Sequence, residues 1–370
     1  MLCQTRDATR YEPAGDEVMG VHGRVPAALA DCISHVVSPH NRRMPVLKAM
    51  TTTVCERNCG YCGFRNGRDV HRVSFTPDAL ADGFYRLYQA GLVEGLFLSA
   101  GVVRDGVPTQ DKIIATGEIL RKRYHFRGYL HLKVMPGAEY DQVVRTIQLA
   151  DRVSVNLEAP NAHRLSHIAP QKKFADELVQ RLQWIERVRR ECGGYGPSST
   201  TQFVVGPAGE SDLELLQTTQ LLHQQMGLAR AYFMAFNPVV DTPLEDREPT
   251  PLLRQHRLYQ SSFLLRDYGF DVEELPFGPD GNLPLREDPK TTWARGQLQR
   301  QPVEINRAER AELLRVPGIG LRGADRIIRE RRRGTLRQLE QLQKMGVRAE
   351  WAAPFVLLDG RRPLKQLGLW

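Results

Sequence analysis

Long apolar runs are missing from this sequence. No stretch approaches the roughly 18 consecutive apolar residues that a membrane-spanning helix needs. The first twenty residues carry Arg6, Asp7, Arg10, Glu12, Asp16 and Glu17 and lack the apolar core of a secretion signal. The expectation is a cytoplasmic protein. Cysteine is scarce as well: 6 in 370 residues do not suggest a disulfide framework. There is no low-complexity tract.

What is there suits a folded protein. At 41% hydrophobic and 25% charged residues, the chain can bury a sizeable core. Its length allows two domains, or one large domain with an appendage. The net charge of +8 is unevenly placed. Residues 301–370 hold 15 Lys or Arg against 8 Asp or Glu, whereas residues 1–300 hold 36 against 35. A basic tail on a near-neutral body points to a polyanionic partner; a solvated basic surface is the plain alternative.

Residues 1–44 read as an irregular N-terminal extension. Short β-like runs then alternate with helical segments. The runs are Pro45–Met50, Gly95–Ser99, Gly128–Val134, Arg152–Leu157, Thr200–Val205 and Ala231–Phe236. Between them, Thr76-Pro77 opens a helix by cap and first-turn chemistry. Leu80, Phe84, Leu87 and Tyr88 recur at helical spacing, and Gly91 ends it. Thr250-Pro251 to Gly269 repeats this grammar. Gln110–Arg123, Tyr140–Ala150, Phe174–Arg190 and Ser211–Gly227 supply the other helices. Six strand–helix repeats imply an α/β fold with a parallel sheet, either a curved partial (β/α)6 barrel or an open doubly wound sheet. In both, ligands bind just beyond the C-terminal ends of the strands. Pro276, Pro279, Gly281, Pro284 and Pro289 mark a connector over 276–300, so the barrel is expected over 45–285 and a small helical domain over 300–370.

Cys55-x3-Cys59-x2-Cys62 falls immediately after the first run. Closely spaced thiolates on a loop can hold one face of an iron–sulfur cube. Three ligands leave one iron open to substrate. A structural zinc needs four ligands, and His71, the nearest other candidate, fits no common zinc spacing. Cys3, Cys32 and Cys192 read as ordinary thiols.

With Tyr61 before the last cysteine, this segment resembles the signature of the radical S-adenosylmethionine (radical SAM) superfamily. The resemblance implies a partial (β/α)6 barrel, a [4Fe–4S] cluster on Cys55, Cys59 and Cys62, and S-adenosylmethionine chelating the open iron. It further implies a flavodoxin- or ferredoxin-type electron donor and a 5′-deoxyadenosyl radical that takes hydrogen from substrate. Tyr61 would pack near the adenine. Ser99-Ala100-Gly101 stands where the superfamily often has Gly-Gly-Glu. Without the glutamate, only backbone contacts from Ser99 and Gly101 to the methionine amino group carry over. Asn156 and Glu158 would bond the ribose hydroxyls, and Gly206 would line the adenine. Lys133 could hold the methionine carboxylate or an anionic substrate, or be solvated. No residue is singled out as an acid or base in catalysis.

In the tail, Leu313-Leu314-Arg315-Val316-Pro317-Gly318-Ile319-Gly320 precedes Ala324, Ile327 and Ile328. Two short helices joined by a Gly-Ile-Gly turn resemble the helix–hairpin–helix motif of DNA-binding and DNA-repair proteins. Gly318 and Gly320 allow the tight turn. The second helix would offer free N–H groups to a phosphate, flanked by Arg322, Arg326 and Arg329, with Arg331-Arg332-Arg333 extending the charge. Such contacts hold a nucleic-acid backbone and carry little sequence information. A structural or protein-binding hairpin is the other reading. A second, degenerate half-motif is expected from Leu336 to Val347.

The combination resembles the DNA modification/repair radical SAM protein family. Residues 47–62, 93–103, 128–137, 151–160 and 306–328 carry the likeness. It implies a radical enzyme acting on nucleic acid, DNA foremost. RNA, such as a tRNA base, and a non-enzymatic iron–sulfur DNA-binding protein are the alternatives. The second has a structural objection: helix–hairpin–helix proteins with structural clusters carry four cysteines shortly after the hairpin, and here three lie far before it.

Overall fold

The computed structural model describes residues 32–37 and 43–363. Contacts group them into two compact units. One runs up to Glu210 and includes Leu221–Pro251; the other comprises Ser211–Gln220 and the chain from Leu252 onward.

The first unit is built on a seven-stranded sheet whose spatial order follows the chain: β1 (Ile33–Val37), β2 (Arg43–Met50), β3 (Gly95–Ser99), β4 (Tyr129–Lys133), β5 (Arg152–Ser154), β6 (Ser198–Val205) and β7 (Arg230–Ala235). Strands β2 to β7 are parallel, and β1 is antiparallel to β2. A doubly wound sheet reverses strand order at a switch point. This one never does, so it is the partial barrel. All six expected strands are present. Strand β1 was not expected, because its five residues sit inside a segment that reads as irregular; most of the expected extension lies outside the described residues.

The parallel strands need crossovers, and α-helices supply them. Helix α1 (Pro77–Gln89) begins as its sequence dictates, with the Thr76 hydroxyl accepting from the Ala79 N–H at 3.2 Å. It buries Leu80, Ala81 and Phe84 on a core that includes Leu47, Leu96, Leu98 and Leu130. The others are α2 (Val107–Glu118), α3 (Tyr140–Leu149), α4 (Ala162–Ile168), α5 (Gln180–Glu191) and α6 (Asp212–Met226). Cys32 is buried in the core and Cys192 is exposed; Cys3 lies outside the described residues. Among the described residues, no helix is long and apolar enough to cross a membrane.

The second unit contains α7 (Leu252–Asp267), α8 (Pro289–Gln297) and then two helix pairs: α9 (Arg310–Arg315) with α10 (Leu321–Glu330), and α11 (Leu339–Lys344) with α12 (Ala349–Ala352). Ile305, Leu313, Leu314, Ile319, Ala324, Ile327, Leu342 and Phe355 form its core. The connector expected over 276–300 is thus partly helical. Its α8 is capped by Asp288 accepting from the Thr291 N–H, and Ala294 belongs to this core.

Candidate active site

The segment after β2 runs on beside the segment after β3. Thr51 N–H donates to Ser99 O, Gly101 N–H to Thr52 O and Glu56 N–H to Val102 O, all at 2.8–2.9 Å. This brings the cysteine loop to the C-terminal mouth of the sheet. A Cβ on Gly101 would lie 2.1 Å from the Val54 carbonyl oxygen and 3.1 Å from the Cys55 Cβ. Only glycine permits that approach.

Arg72 fixes the loop from outside. Its guanidinium donates to the carbonyls of Thr53 at 2.9 Å, Phe64 at 2.8 Å, Arg65 at 2.9 Å and Arg68 at 3.2 Å. One planar group therefore ties the chain before Cys55 to the chain after Cys62. The far side docks on the segment after α4: Gly60 N–H donates to Ile168 O at 2.7 Å and Arg57 to Gln171 O at 2.9 Å.

The mouth of the sheet holds a cavity with an empty volume of about 820 Å³, open solvent at its entrance included. Cys55, Cys59, Cys62, Tyr61, Gly101, Asn156 and Glu158 all line it. So do Lys133, which reads from sequence equally as solvated, and Lys172, Arg57 and Gln202, which sequence reasoning missed. Lys172 lies in Gln171-Lys172-Lys173, which looks like a solvated loop; only the fold reveals it. Ser99 and Gly206 fall outside the cavity wall. Ser99 is fully buried in β3. Gly206 has φ +108°, and a Cβ there would lie 2.0 Å from the Thr250 Oγ1. Its place is a close approach of two loops. The Thr250 hydroxyl donates to Val205 O at 2.6 Å.

Burial shapes the electrostatics. It raises the Cys59 thiol, an effect that Lys172 opposes, and pushes Cys62 up to about 12. Burial also lifts the Tyr61 hydroxyl well above its usual value, with Cys59 adding to it. Burial works against the Glu158 carboxylate, but the charges of Lys172 and Lys133 outweigh it and hold the group below the usual range. Lys172 donates to Glu158 Oε1 at 2.9 Å and to the Tyr61 hydroxyl at 3.3 Å. Burial pulls its ammonium down, but Cys59 and Glu158 more than offset that and raise it overall.

The donor set fits an iron–sulfur cluster. Three soft thiols share one cavity wall, and two of them accept backbone N–H groups, Cys55 from Val102 and Cys62 from Phe64, each at 3.4 Å. Buried thiols with raised pKa values become ligands when a metal takes the proton's place. No three His, Cys, Asp or Glu side chains among the described residues are grouped to hold a metal ion. His71 is exposed and outside the cavity wall.

Residues 50–222 match the family model described as the radical SAM superfamily. The matched segment is less than half of the chain and includes the cysteine loop and strands β3 to β6. Among solved structures the chain is similar to HydG, a maturase of the [FeFe]-hydrogenase, at 12% identity and TM-score 0.49, covering 60% of this chain and 49% of that one. Methylornithine synthase (PylB) gives 12% identity and TM-score 0.48, over 60% and 61% of the two chains. The radical S-adenosylmethionine methyltransferase TsrM from Kitasatospora setae, with cobalamin and a [4Fe–4S] cluster bound, gives 12% and 0.43, over 88% and 67%. This chain thus spans about half the length of HydG and three-fifths that of PylB. It matches no curated protein.

In the second unit, Gly318 and Gly320 form the turn between α9 and α10. Gly318 has φ +79°, and a Cβ there would lie 2.4 Å from the Arg348 carbonyl oxygen. Arg322, Arg326 and Arg329 are exposed on α10. Arg326 also donates to Met345 O at 3.0 Å. Arg331 instead faces inward, donating to Ile305 O and Ala308 O, so the basic run 331–333 is not wholly a surface feature. Arg326, Arg329, Arg333 and Lys344 line an open groove beside α10 and α11.

Proposed function

We propose that this protein is a radical SAM enzyme that removes a hydrogen atom from a nucleic acid, DNA foremost, in its modification or repair. The observation that carries the nucleic-acid part is the basic groove of the second unit, next to a glycine-turned helix pair of helix–hairpin–helix type. Gly318 packs the turn on the Arg348 backbone, and behind Gly320 the helix α10 offers its free N–H groups to a phosphate. Arg322, Arg326 and Arg329 neutralise neighbouring phosphates.

In the first unit, Cys55, Cys59 and Cys62 would hold the cluster and leave one iron to S-adenosylmethionine. When bound, these cofactors supply a 5′-deoxyadenosyl radical that takes hydrogen from substrate. The chain's own part is to bind, orient and exclude water. Tyr61 offers an aromatic wall for adenine. Asn156 and Glu158 offer an amide and an ionised carboxylate to the ribose diol. Lys133 and Lys172 give the cavity positive charge, fit for a carboxylate. Ser99 and Gly206 support these loops from behind. A base within a duplex would have to be flipped to reach this cavity. A flavodoxin- or ferredoxin-type donor and a cytoplasmic setting go with this reading.

The test is deuterium transfer. Anaerobically reconstituted protein, reductant and S-adenosylmethionine are incubated with deuterated DNA or deuterated RNA. Deuterium in 5′-deoxyadenosine from DNA, absent in a Cys59→Ala control, supports the proposal. Transfer from RNA alone moves the substrate to RNA. A reduced-cluster spectrum unchanged by S-adenosylmethionine, with no 5′-deoxyadenosine above the control, sinks the enzymatic reading.

A further inference from the structure

The second unit holds the same supersecondary element twice, and the copies differ where a nucleic acid would touch them. A 28-residue offset pairs Leu314 with Leu342, Gly318 with Gly346, Ile319 with Val347, Ala324 with Ala352 and Ile327 with Phe355. The apolar members of all these pairs are buried, and both glycines have φ +79°. Other positions diverge. Arg322 at the head of α10 corresponds to Glu350, Gly320 to Arg348 and Gly323 to Trp351. A carboxylate at the head of a four-residue helix repels phosphate. The second copy is therefore a poor backbone clamp.

What it presents instead is an aromatic face. Trp351 is 51% exposed, and no other tryptophan among the described residues is exposed. The Arg348 guanidinium stands 4.8 Å from its ring centroid. The pair is tied to the first turn: Arg348 N–H donates to Gly318 O at 3.1 Å, and Trp351 N–H donates to Arg348 O at 3.0 Å. An exposed indole backed by a guanidinium, in a chain segment with 15 cationic against 8 anionic residues, matches a flat π-face carried on a polyanion. The bases of an intact duplex have their faces covered by neighbours.

Resting on the nucleic-acid reading above, we propose that Trp351 stacks on an unpaired base while the head of α10 holds the adjoining backbone. The unit then selects strands that are single, bulged or locally opened, and the two copies divide grip and selection between them.

The experiment is anisotropy titration of the full-length holoprotein with three labelled DNA probes: a paired duplex, the same duplex with one unpaired base, and the single strand. The expected result is binding of the unpaired-base probe on the order of ten-fold or more tighter than the duplex. Trp351→Ala abolishes that preference and leaves duplex affinity unchanged, while Trp351→Phe retains most of it. Equal affinity of the native protein for all three probes, with measurable binding, overturns this inference and spares the nucleic-acid reading. Absence of binding to all three probes and to a single-stranded RNA probe at low salt overturns both.

Discussion

Lys172 places its ammonium 2.9 Å from the Glu158 carboxylate, and neither side chain is more than a tenth exposed. Glu158 is itself held at φ +66°, a conformation few non-glycine residues adopt. The pair thus fixes the segment after β5 against the cysteine loop, through Tyr61.

Removing one partner strands a buried charge. Lys172→Met is expected to cost about 3–5 kcal/mol, read as a lower urea midpoint. The double variant Lys172→Met/Glu158→Gln should recover a large part. An unchanged midpoint for the single variant would refute the pairing's role. The pH signs follow the shifts. Glu158 is held below its usual range, so its contribution is full above the ordinary carboxylate pKa and fades as pH falls through the lower folded value. Lys172 is raised, so its contribution is full below the ordinary lysine pKa and fades as pH rises through the higher one.

Gly101 and Gly206 both sit in close approaches, but at different places, and alanine should separate them. At Gly101 the added Cβ meets the Val54 backbone, one residue from Cys55. Gly101→Ala should therefore lower iron and sulfide content after reconstitution. At Gly206 the added Cβ meets Thr250, away from the cavity wall. Gly206→Ala should reduce thermal stability while retaining iron. Equal iron loss in both would show that the contrast is wrong.

Arg72 supplies a further check on loop order. Four carbonyls converge on one planar fork, a geometry a lysine ammonium cannot reproduce. Arg72→Lys should keep the helical circular-dichroism signal yet reduce iron occupancy by at least half. Full occupancy would mean that Gly101 and the docking at Ile168 hold the loop unaided.

The strands were legible because buried parallel strands are near-continuous apolar runs, as in Gly95–Ser99. The cysteine loop was legible because its three ligands are local in sequence. Lys172 was not, because its partners Tyr61 and Glu158 lie 111 and 14 residues away, and a Lys-Lys pair reads as solvent-facing. Gly206 follows a strand end, which suggested a cofactor position; that it also packs closely against Thr250 was not legible, because Thr250 lies 44 residues away. In the tail, the Gly-Ile-Gly turn announced itself, whereas the pairing of its copy required the buried positions to be seen together.

Lys290 gives the last prediction. It sits on α8, donates to the Ile319 carbonyl at 2.7 Å and stands 4.8 Å from the Tyr268 ring centroid. Burial pulls its pKa down to about 7, with Asp288 opposing. The unfolded chain binds a proton at this lysine up to its ordinary pKa of 10.5; the folded chain releases it near 7. Between those values the unfolded state holds more protons, so this residue makes stability rise with pH, by about 1.4 kcal/mol per unit. Below about 7 its effect is flat. Lys290→Met removes the slope and leaves Ile319 O without its donor, a loss of about 1–3 kcal/mol. Hence the variant's gain on the native protein should be largest at pH 7 and below and shrink by about 2–3 kcal/mol by pH 9. Melting curves of both proteins at pH 6, 7, 8 and 9 measure this as a difference in which other titrations cancel. Parallel curves across the range would show that Lys290 keeps its proton in the fold.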